Sequence, residues 1–353
     1  MAVIENQPKE EVIVSIIIPV KNEEIQNIIN HYKKLGKNEE KYISKCIKSV
    51  LRQNFDKKNM ELILIDGNSK DETVKIIRNF MNDYGFIKVY KNPQETVQYA
   101  LNIGIKNAAG KYIVRMDAHS EYADDYVSKC VEYIEKTGAE NVGGPMIAQG
   151  KTPTQNVIAA AYHSPFAMGG GKFHNENYEG YADTVYLGAL KKKTLLHLNM
   201  YDERLPRSED DDLNFRILEN GGKIFVTPKI KSVYYPRSTY SDVFKQFFEY
   251  GLWKVAVIKK HKKPARLSHL VPISFVIFII LFSILSFFSA IARNIFLFIM
   301  LIYFGLNLYF SLKNKRLNVL LDKFRLVWVH FVLHISYGLG FLCGIFKFWR
   351  INF

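Results

Sequence analysis

The sequence predicts an α/β domain built on a mostly parallel sheet, followed by a group of apolar helices. Over roughly the first 230 residues, short apolar runs alternate with stretches of helical periodicity, the pattern of repeated βα units. Three later stretches, 271–292, 295–312 and 326–346, carry no Asp, Glu, Lys or Arg. The 353 residues also exceed one domain of about 250 residues, which leaves room for a second part.

In order along the chain, strands are expected at Ile13–Val20, Glu61–Ile65, Phe86–Tyr90, Tyr112–Met116, Asn141–Ile147, Thr184–Leu190 and Lys223–Thr227. Helices are expected at Tyr42–Gln53, Glu72–Asp83, Glu95–Ala109, Asp124–Thr137 and Asp210–Glu219. The polar stretch Asn27–Lys41 is longer than the usual connection of about 2–6 residues and reads as a surface insertion. Ser241–Lys260 reads as a long amphipathic helix, aromatic at Phe244, Phe247, Phe248, Tyr250 and Trp253, that ends in a basic run. Aromatics beside lysines suit a membrane interface, and core packing is the plainer alternative for its first half.

Each of the three uncharged stretches approaches the ~20 apolar residues that cross a bilayer core. Arg293 is expected in the turn between the first two, because a charge at the membrane centre costs about 2.5–3.5 kcal/mol. The third holds His330, His334 and Ser336, which admits a shallow or re-entrant course as well as a full crossing. The net charge of +14 is unevenly placed: from Lys259 onward 13 basic residues face one acid, Asp322, while the preceding residues are nearly balanced. The excess flanks the apolar stretches, at Lys259–Arg266 and Lys313–Arg325, so it points to a membrane and away from nucleic acid. Met1–Glu11 reads as a polar tail and not as a signal peptide. Cys46, Cys130 and Cys343 are scattered, without metal or disulfide spacing, and fit a reducing compartment.

The densest chemistry lies in Lys111-Tyr-Ile-Val-Arg-Met-Asp-Ala-His-Ser120. Side chains alternate along a strand, so Asp117 and His119 project to one side and can grip one ion together. In an open α/β sheet ligands bind beyond the carboxyl ends of the strands, where this pair sits. A carboxylate and an imidazole two apart suit a divalent cation carrying a diphosphate, with the imidazole tilting Mg²⁺ toward Mn²⁺. Asp66 ends another buried strand and can accept hydrogen bonds from a base N–H or a ribose hydroxyl. Ser69 and Asp71 can equally cap the next helix. Gly169-Gly-Gly-Lys172 lacks the spacing of a phosphate loop and reads as a flexible loop.

Five constellations in order resemble glycosyltransferase family 2, the GT-A fold group. They are Val14–Glu24, Leu62–Asp71, Ala100–Gly110, Asp117-Ala-His119 and Arg207-Ser-Glu-Asp-Asp-Asp-Leu-Asn-Phe-Arg216. Arg-x-Asp-Ala-His is similar to the branch containing the ExoA-type succinoglycan glucosyltransferases. Leu101 stands where many relatives carry a basic residue, and His119 where most carry an acid. The resemblance implies a GT-A nucleotide-sugar-binding fold, with nucleotide contacts at Pro19, Lys21, Glu23, Asp66, Ser69, Asn102, Arg115 and Asp117. It implies metal ligands Asp117 and His119 for Mn²⁺ or Mg²⁺, and Asp210, with Glu209, as the base acting on the acceptor hydroxyl. The four acids, 209–212, also cap a helix start, and crowding them favours a raised pKa on one.

The domains expected are a tail (1–11), a catalytic domain (12–238), an interface helix with basic linker (239–268) and a membrane region (269–353). The expected activity is inverting transfer of one hexose, glucose by resemblance, from a UDP-sugar to a lipid-linked saccharide in exopolysaccharide or cell-surface glycan synthesis. The site would face the cytoplasm of a bacterium, with Trp253, Lys254 and the Lys259–Lys263 run near the acceptor lipid. Gln246–Trp253 lacks the Gln-x-x-Arg-Trp of processive synthases, which favours one sugar per encounter. The rivals are a polyprenyl-phosphate glycosyltransferase and a nucleotide-sugar-binding membrane scaffold without turnover. A nucleotidyltransferase would need a basic Gly-rich loop after the first strand, and Pro19-Val-Lys-Asn-Glu23 is not one.

Overall fold

The computed structural model describes residues 11–21, 42–118, 120–351 and 353. The expected insertion at Asn27–Lys41, and also Glu23 and His119, lie outside them. In chain order the strands are β1 (Val14–Val20), β2 (Met60–Asp66), β3 (Ile87–Lys91), β4 (Tyr112–Arg115), β5 (Glu121–Tyr122), β6 (Asn141–Gly144), β7 (Ile147–Ala148), β8 (Gly180–Tyr181), β9 (Tyr186–Lys191), β10 (Ile224–Val226) and β11 (Ser232–Tyr234). The chain divides into two compact units.

The first unit takes the described residues up to Gly144, with Glu179–Pro206 and Arg216–Ser232. Its eight-stranded sheet runs β3-β2-β1-β4-β9-β6-β10-β8. Strands β3, β2, β1 and β4 are mutually parallel, and β9 enters antiparallel between β4 and β6. The runs Val14–Ile18 and Leu62–Ile65 are buried throughout, as expected of strands covered on both faces. The helix Val97–Asn107 lies directly on β1: a Cβ on Gly104 would come 2.6 Å from the Ile17 side chain. Small residues in this helix therefore serve contact with the sheet. The run expected as one strand over 141–147 is instead two, broken at Pro145, which has no N–H to offer a ladder.

At the opposite end of β1, Ser15 Oγ donates to Glu61 Oε1 at 2.6 Å, and the Ala109 N–H donates to the same oxygen at 2.5 Å. Lys88 bonds the other oxygen at 2.6 Å. Burial alone would push the Glu61 carboxyl up, but the Lys88, Ser15 and Ala109 donors together hold it below its usual range. This network ties β1, β2, β3 and the entrance to β4.

The second unit contains Pro145–Tyr178, Arg207–Phe215 and Val233–Phe353. Its longest helices are Tyr240–His261, Val271–Leu285, Ala290–Leu312 and Leu320–Phe348. Thr239 caps the first by accepting from the Asp242 N–H at 3.1 Å. Among the described residues three helices, over 267–285, 290–312 and 320–348, are long and apolar enough to cross a membrane. Arg293 falls inside the second of them and not in the preceding turn. The Ser289 hydroxyl accepts from the Ala292 N–H and starts that helix at Ala290.

Tyr240–His261 packs along Leu320–Phe348 at backbone contact. A Cβ on Gly251 would come 2.0 Å from the Tyr337 carbonyl, and one on Gly340 would come 2.0 Å from that of Phe248. Gly340 and Gly344 form a G-x-x-x-G pair in an apolar stretch, the spacing that lets helices approach closely. The aromatic helix is thus a packed element over most of its length. The histidines of the last helix are also spent internally. His330 Nδ1 lies 2.7 Å from Asn307 Oδ1, while His334 bonds the Tyr303 hydroxyl at 2.9 Å and the Phe166 carbonyl at 3.1 Å.

Candidate active site

In the first unit the parallel strands β2, β1 and β4 end at one edge, with Val20 opposite Asp66 and Ile17 opposite Arg115. The structure brings Pro19, Lys21, Asp66, Ser69, Arg115 and Asp117 to this edge. Asp66 is 4% exposed and accepts from the Ser69 N–H at 3.1 and 3.3 Å through its two oxygens. That bond folds the chain back at the strand end as an Asx-type turn. Asp71 accepts from the Thr73 N–H at 3.0 Å just ahead of the following helix, whose cap position is Glu72. Lys21 is exposed and pairs with Glu95 at 2.7 Å, and Asn68 donates to the other Glu95 oxygen at 2.9 Å. The Lys21 and Asn68 donors hold the Glu95 carboxyl below its usual range.

Asp117 leaves β4 in a tight turn, closed by the Ser120 N–H on the Asp117 carbonyl at 3.1 Å. The buried Tyr122 hydroxyl accepts from the Asp117 N–H at 2.6 Å and lies 3.3 Å from its carbonyl, so one phenol fixes both backbone groups of this residue. Burial, then the Asp117 carboxylate, push the Tyr122 phenol far up, which keeps it a neutral donor. Arg115 Nε sits 3.3 Å from Asp117 Oδ1, and the Asp117 side chain is 20% exposed. A hard oxygen donor presented this way suits a divalent ion that takes one or two carboxylates and completes its shell with phosphate oxygens. Among the described residues no three His, Cys, Asp or Glu side chains gather around a metal position.

Asn102 is placed differently. It is 3% exposed, donates to the Tyr201 carbonyl at 2.9 Å and to Glu203 at 3.1 Å, and accepts from the Tyr201 N–H at 3.0 Å. Within its unit it anchors the 201–203 segment.

The second unit holds the acidic turn that opens the helix Glu209–Glu219. Ser208 precedes it with φ of 60°, in the left-handed region and outside ordinary N-cap geometry. Glu209 is buried and Asp210 half-buried. Lys254 Nζ reaches Asp211 Oδ2 at 2.5 Å, with its own side chain only 10% exposed. Asp212 is fully buried and meets Lys260 at 2.7 Å and His261 Nε2 at 2.9 Å. His261 also stacks on Phe215, ring centroids 4.2 Å apart. Burial pushes the Asp211 carboxyl up, but the Lys254 ammonium and the Ser208 hydroxyl prevail and hold it below its usual range. Crowding of the four acids is therefore answered by cations from Tyr240–His261.

Lys254, expected near a lipid, is committed to this turn. Trp253 donates its indole N–H to Glu249 at 3.1 Å and packs on Phe348, with Lys347 over its ring at 5.0 Å. Sequence reasoning missed Tyr122, Glu95, Lys260 and His261 as organisers of these turns. A lysine–histidine pair on the face of a helix presenting Lys254 was the available signal for the last two.

Known proteins match these elements. The family model described as Glycosyl transferase family 2 matches residues 36–191. A Methanococcus voltae protein is 29% identical over 231 residues, 63% of this chain and 72% of that one. It is named dolichyl N-acetyl-alpha-D-glucosaminyl phosphate 3-beta-D-2,3-diacetamido-2,3-dideoxy-beta-D-glucuronosyltransferase. Succinoglycan biosynthesis protein ExoA of Rhizobium meliloti is 29% identical over 239 residues, 67% of this chain and 72% of its own. The structure of mannosyltransferase PcManGT from Pyrobaculum calidifontis, with GDP-Man and Mn²⁺, superposes with TM-score 0.62 at 14% identity. It covers 96% of this chain and 91% of its own, a likeness of fold.

Proposed function

We propose that this chain, which matches the Glycosyl transferase family 2 model over residues 36–191 and shares the GT-A fold, transfers one hexose from a UDP-sugar to a lipid-linked saccharide. The observation that carries the reading is the gathering of Pro19, Lys21, Asp66 and Asp117 at the carboxyl edge of three adjacent parallel strands. That edge is where α/β sheets bind nucleotides. Pro19 and Lys21 at the end of β1, with Glu23, take the base, Asp66 and the chain held by Ser69 take the ribose side, and Arg115 faces the diphosphate. Asn102 supports the site from within its helix. Asp117 and His119 would hold a Mn²⁺ or Mg²⁺ ion, which supplies charge to the departing nucleoside diphosphate.

Asp210 takes the proton from the acceptor hydroxyl as that oxygen attacks the anomeric carbon opposite the leaving group, so the configuration inverts. Glu209 lies beside it in the same turn. The pairing of Asp211 and Asp212 with Lys254, Lys260 and His261 supports this assignment by holding the turn in place. The names of the Methanococcus and Rhizobium relatives support a lipid-linked or exopolysaccharide acceptor.

The helices 267–285 and 290–312 form a membrane hairpin with both basic flanks cytoplasmic. The last apolar helix lies along the cytoplasmic face. Lys323 at its start donates to the Leu312 carbonyl at 2.8 Å, and Lys259 donates to the Phe348 and Trp349 carbonyls at its end, at 2.7 and 2.8 Å. Gly338, between them, packs on Pro272. All three partners stand at the base of the hairpin, whereas a 29-residue helix is about 43 Å long and a crossing would part its ends by the ~30 Å core.

The test is nucleoside diphosphate release by detergent-solubilised protein with Mn²⁺, lipid extract and a panel of nucleotide sugars. Turnover with a UDP-hexose, cut roughly 10²–10⁴-fold by Asp210→Asn, is expected. Full activity in that variant sinks the assignment of the base.

A further inference from the structure

We propose that a cavity in the second unit, at the foot of the helix Ala290–Leu312, binds the diphosphate of the lipid-linked acceptor. This inference rests on the transferase reading and places its acceptor in the fold. The cavity measures about 580 Å³ and lies between the 163–177 segment and the turn that follows Leu312. That size is well above what one phosphate needs and falls in the ~300–1,000 Å³ range of organic-ligand sites.

Its walls divide by chemistry. Lys313, Lys315 and Arg316 supply three cations and Glu176 one carboxylate. Arg316 is already positioned: it pairs with Glu176 and reaches the Ala148 carbonyl at 3.4 Å. Lys313 lies 4.8 Å over the ring of Tyr309, and both it and Lys315 are exposed. Tyr309 stands in the last turn of an apolar helix, at the depth where aromatic residues meet lipid head groups. A cationic floor beside an aromatic wall at that depth matches an anion carried on a hydrocarbon chain better than a free anion.

The opposite wall is polar, with Glu176, paired to Arg316, 3.5 Å from His163 Nε2. His163 Nε2 accepts from the Ala148 N–H at 3.0 Å, so its proton sits on Nδ1, 3.1 Å from the His174 carbonyl. Burial, then Arg316, push the His163 imidazole down to about 4. Burial, with His163 and Arg266 beyond it, pushes His174 down to about 3. His174 Nδ1 is buried behind this wall without a hydrogen-bond partner. Phosphates on the lysine side and a sugar on the histidine side fit one amphiphile.

The experiment uses the full chain in phosphatidylcholine nanodiscs with EDTA, which silences metal-dependent diphosphate binding at the donor edge. Farnesyl diphosphate is titrated beside farnesol and inorganic diphosphate, and Mn²⁺-dependent UDP binding is measured in parallel without EDTA. Farnesyl diphosphate is expected to bind at least about tenfold more tightly than either fragment, and Lys313→Gln/Lys315→Gln to weaken it by about tenfold or more. Arginine at both positions is expected to restore it, which separates lost charge from lost fold. Equal binding of inorganic diphosphate marks a free-anion site, and displacement by phosphatidylglycerol marks a bilayer-lipid site; either overturns the proposal. So does a loss on Lys262→Gln/Lys263→Gln with none at Lys313 and Lys315. Failure of farnesyl diphosphate with UDP binding intact removes this cavity alone, whereas loss of UDP binding as well removes the transferase reading.

Discussion

Replacing Lys254 by Met tests whether the acidic turn is held by charge. The pair joins a lysine side chain 10% exposed to an aspartate side chain 38% exposed, at 2.5 Å. Stranding a fully buried charge costs about 3–5 kcal/mol, while an exposed pair contributes about 0–1 kcal/mol. This pair lies between those limits, and its open aspartate brings the cost to about 1–2 kcal/mol. At roughly 2–4 °C per kcal/mol, Lys254→Met lowers Tm by about 2–8 °C. The sign with pH follows from Asp211, whose folded pKa is depressed. Its stabilisation is complete above the unfolded value of about 3.9 and is lost as pH falls through the folded value. The deficit of Lys254→Met is therefore largest near neutrality and shrinks in acid. Thermal unfolding of the solubilised protein between about pH 3 and pH 8 reads this, with nucleoside diphosphate release at neutral pH beside it. Because the turn carries Asp210, kcat is expected to fall more than KM rises. Asp211→Asn in the Lys254→Met background is expected to recover most of the lost Tm, since it removes the stranded charge. A deficit equal at all pH values, or no recovery in the double variant, would refute the charge argument and leave only packing of the lysine stem.

Tyr122→Phe removes the hydroxyl that fixes the Asp117 backbone while keeping the ring. Metal-dependent UDP binding should weaken severalfold with Tm nearly unchanged, and an unchanged affinity would show the turn to be held without it. Glu61→Gln leaves Lys88 beside a neutral amide and should cost about 1–3 kcal/mol. Glu61 is held below its usual range, so that loss should be greatest above about pH 5 and fade in acid, as thermal unfolding against pH would show. Gly340→Val drives a side chain into the Phe248 carbonyl and should lower Tm, whereas the same change at Gly305, which has open space around it, should not. Cysteine placed at Arg350 in a cysteine-free background should react with impermeant maleimide from the cytoplasmic side of oriented vesicles, and labelling from the far side instead would make the last helix a full crossing.

Much of this protein was legible from local pattern. The runs Val14–Ile18 and Leu62–Ile65 dictate strands because continuous aliphatic residues, rich in Val and Ile, fill a covered sheet from both faces. Asp66 and Asp117 stand at strand ends because polar residues interrupt those runs there. The apolar stretches at 271–292 and 295–312 are long enough to insert from composition alone. What only the tertiary structure decided are pairings between residues distant in sequence. Asn102 has the same sequence context whether it faces a ligand or the Tyr201 backbone, and packing sent it to Tyr201. Lys254 looked like a lipid contact on a basic helix until folding brought it to Asp211, 43 residues away. The last apolar helix meets the length and hydropathy of a span, and only folding shows that Lys259, Leu312 and Pro272 lie against it. Periodicity reports which face of an element is apolar. Whether lipid or protein covers that face depends on long-range contacts, which no local window contains.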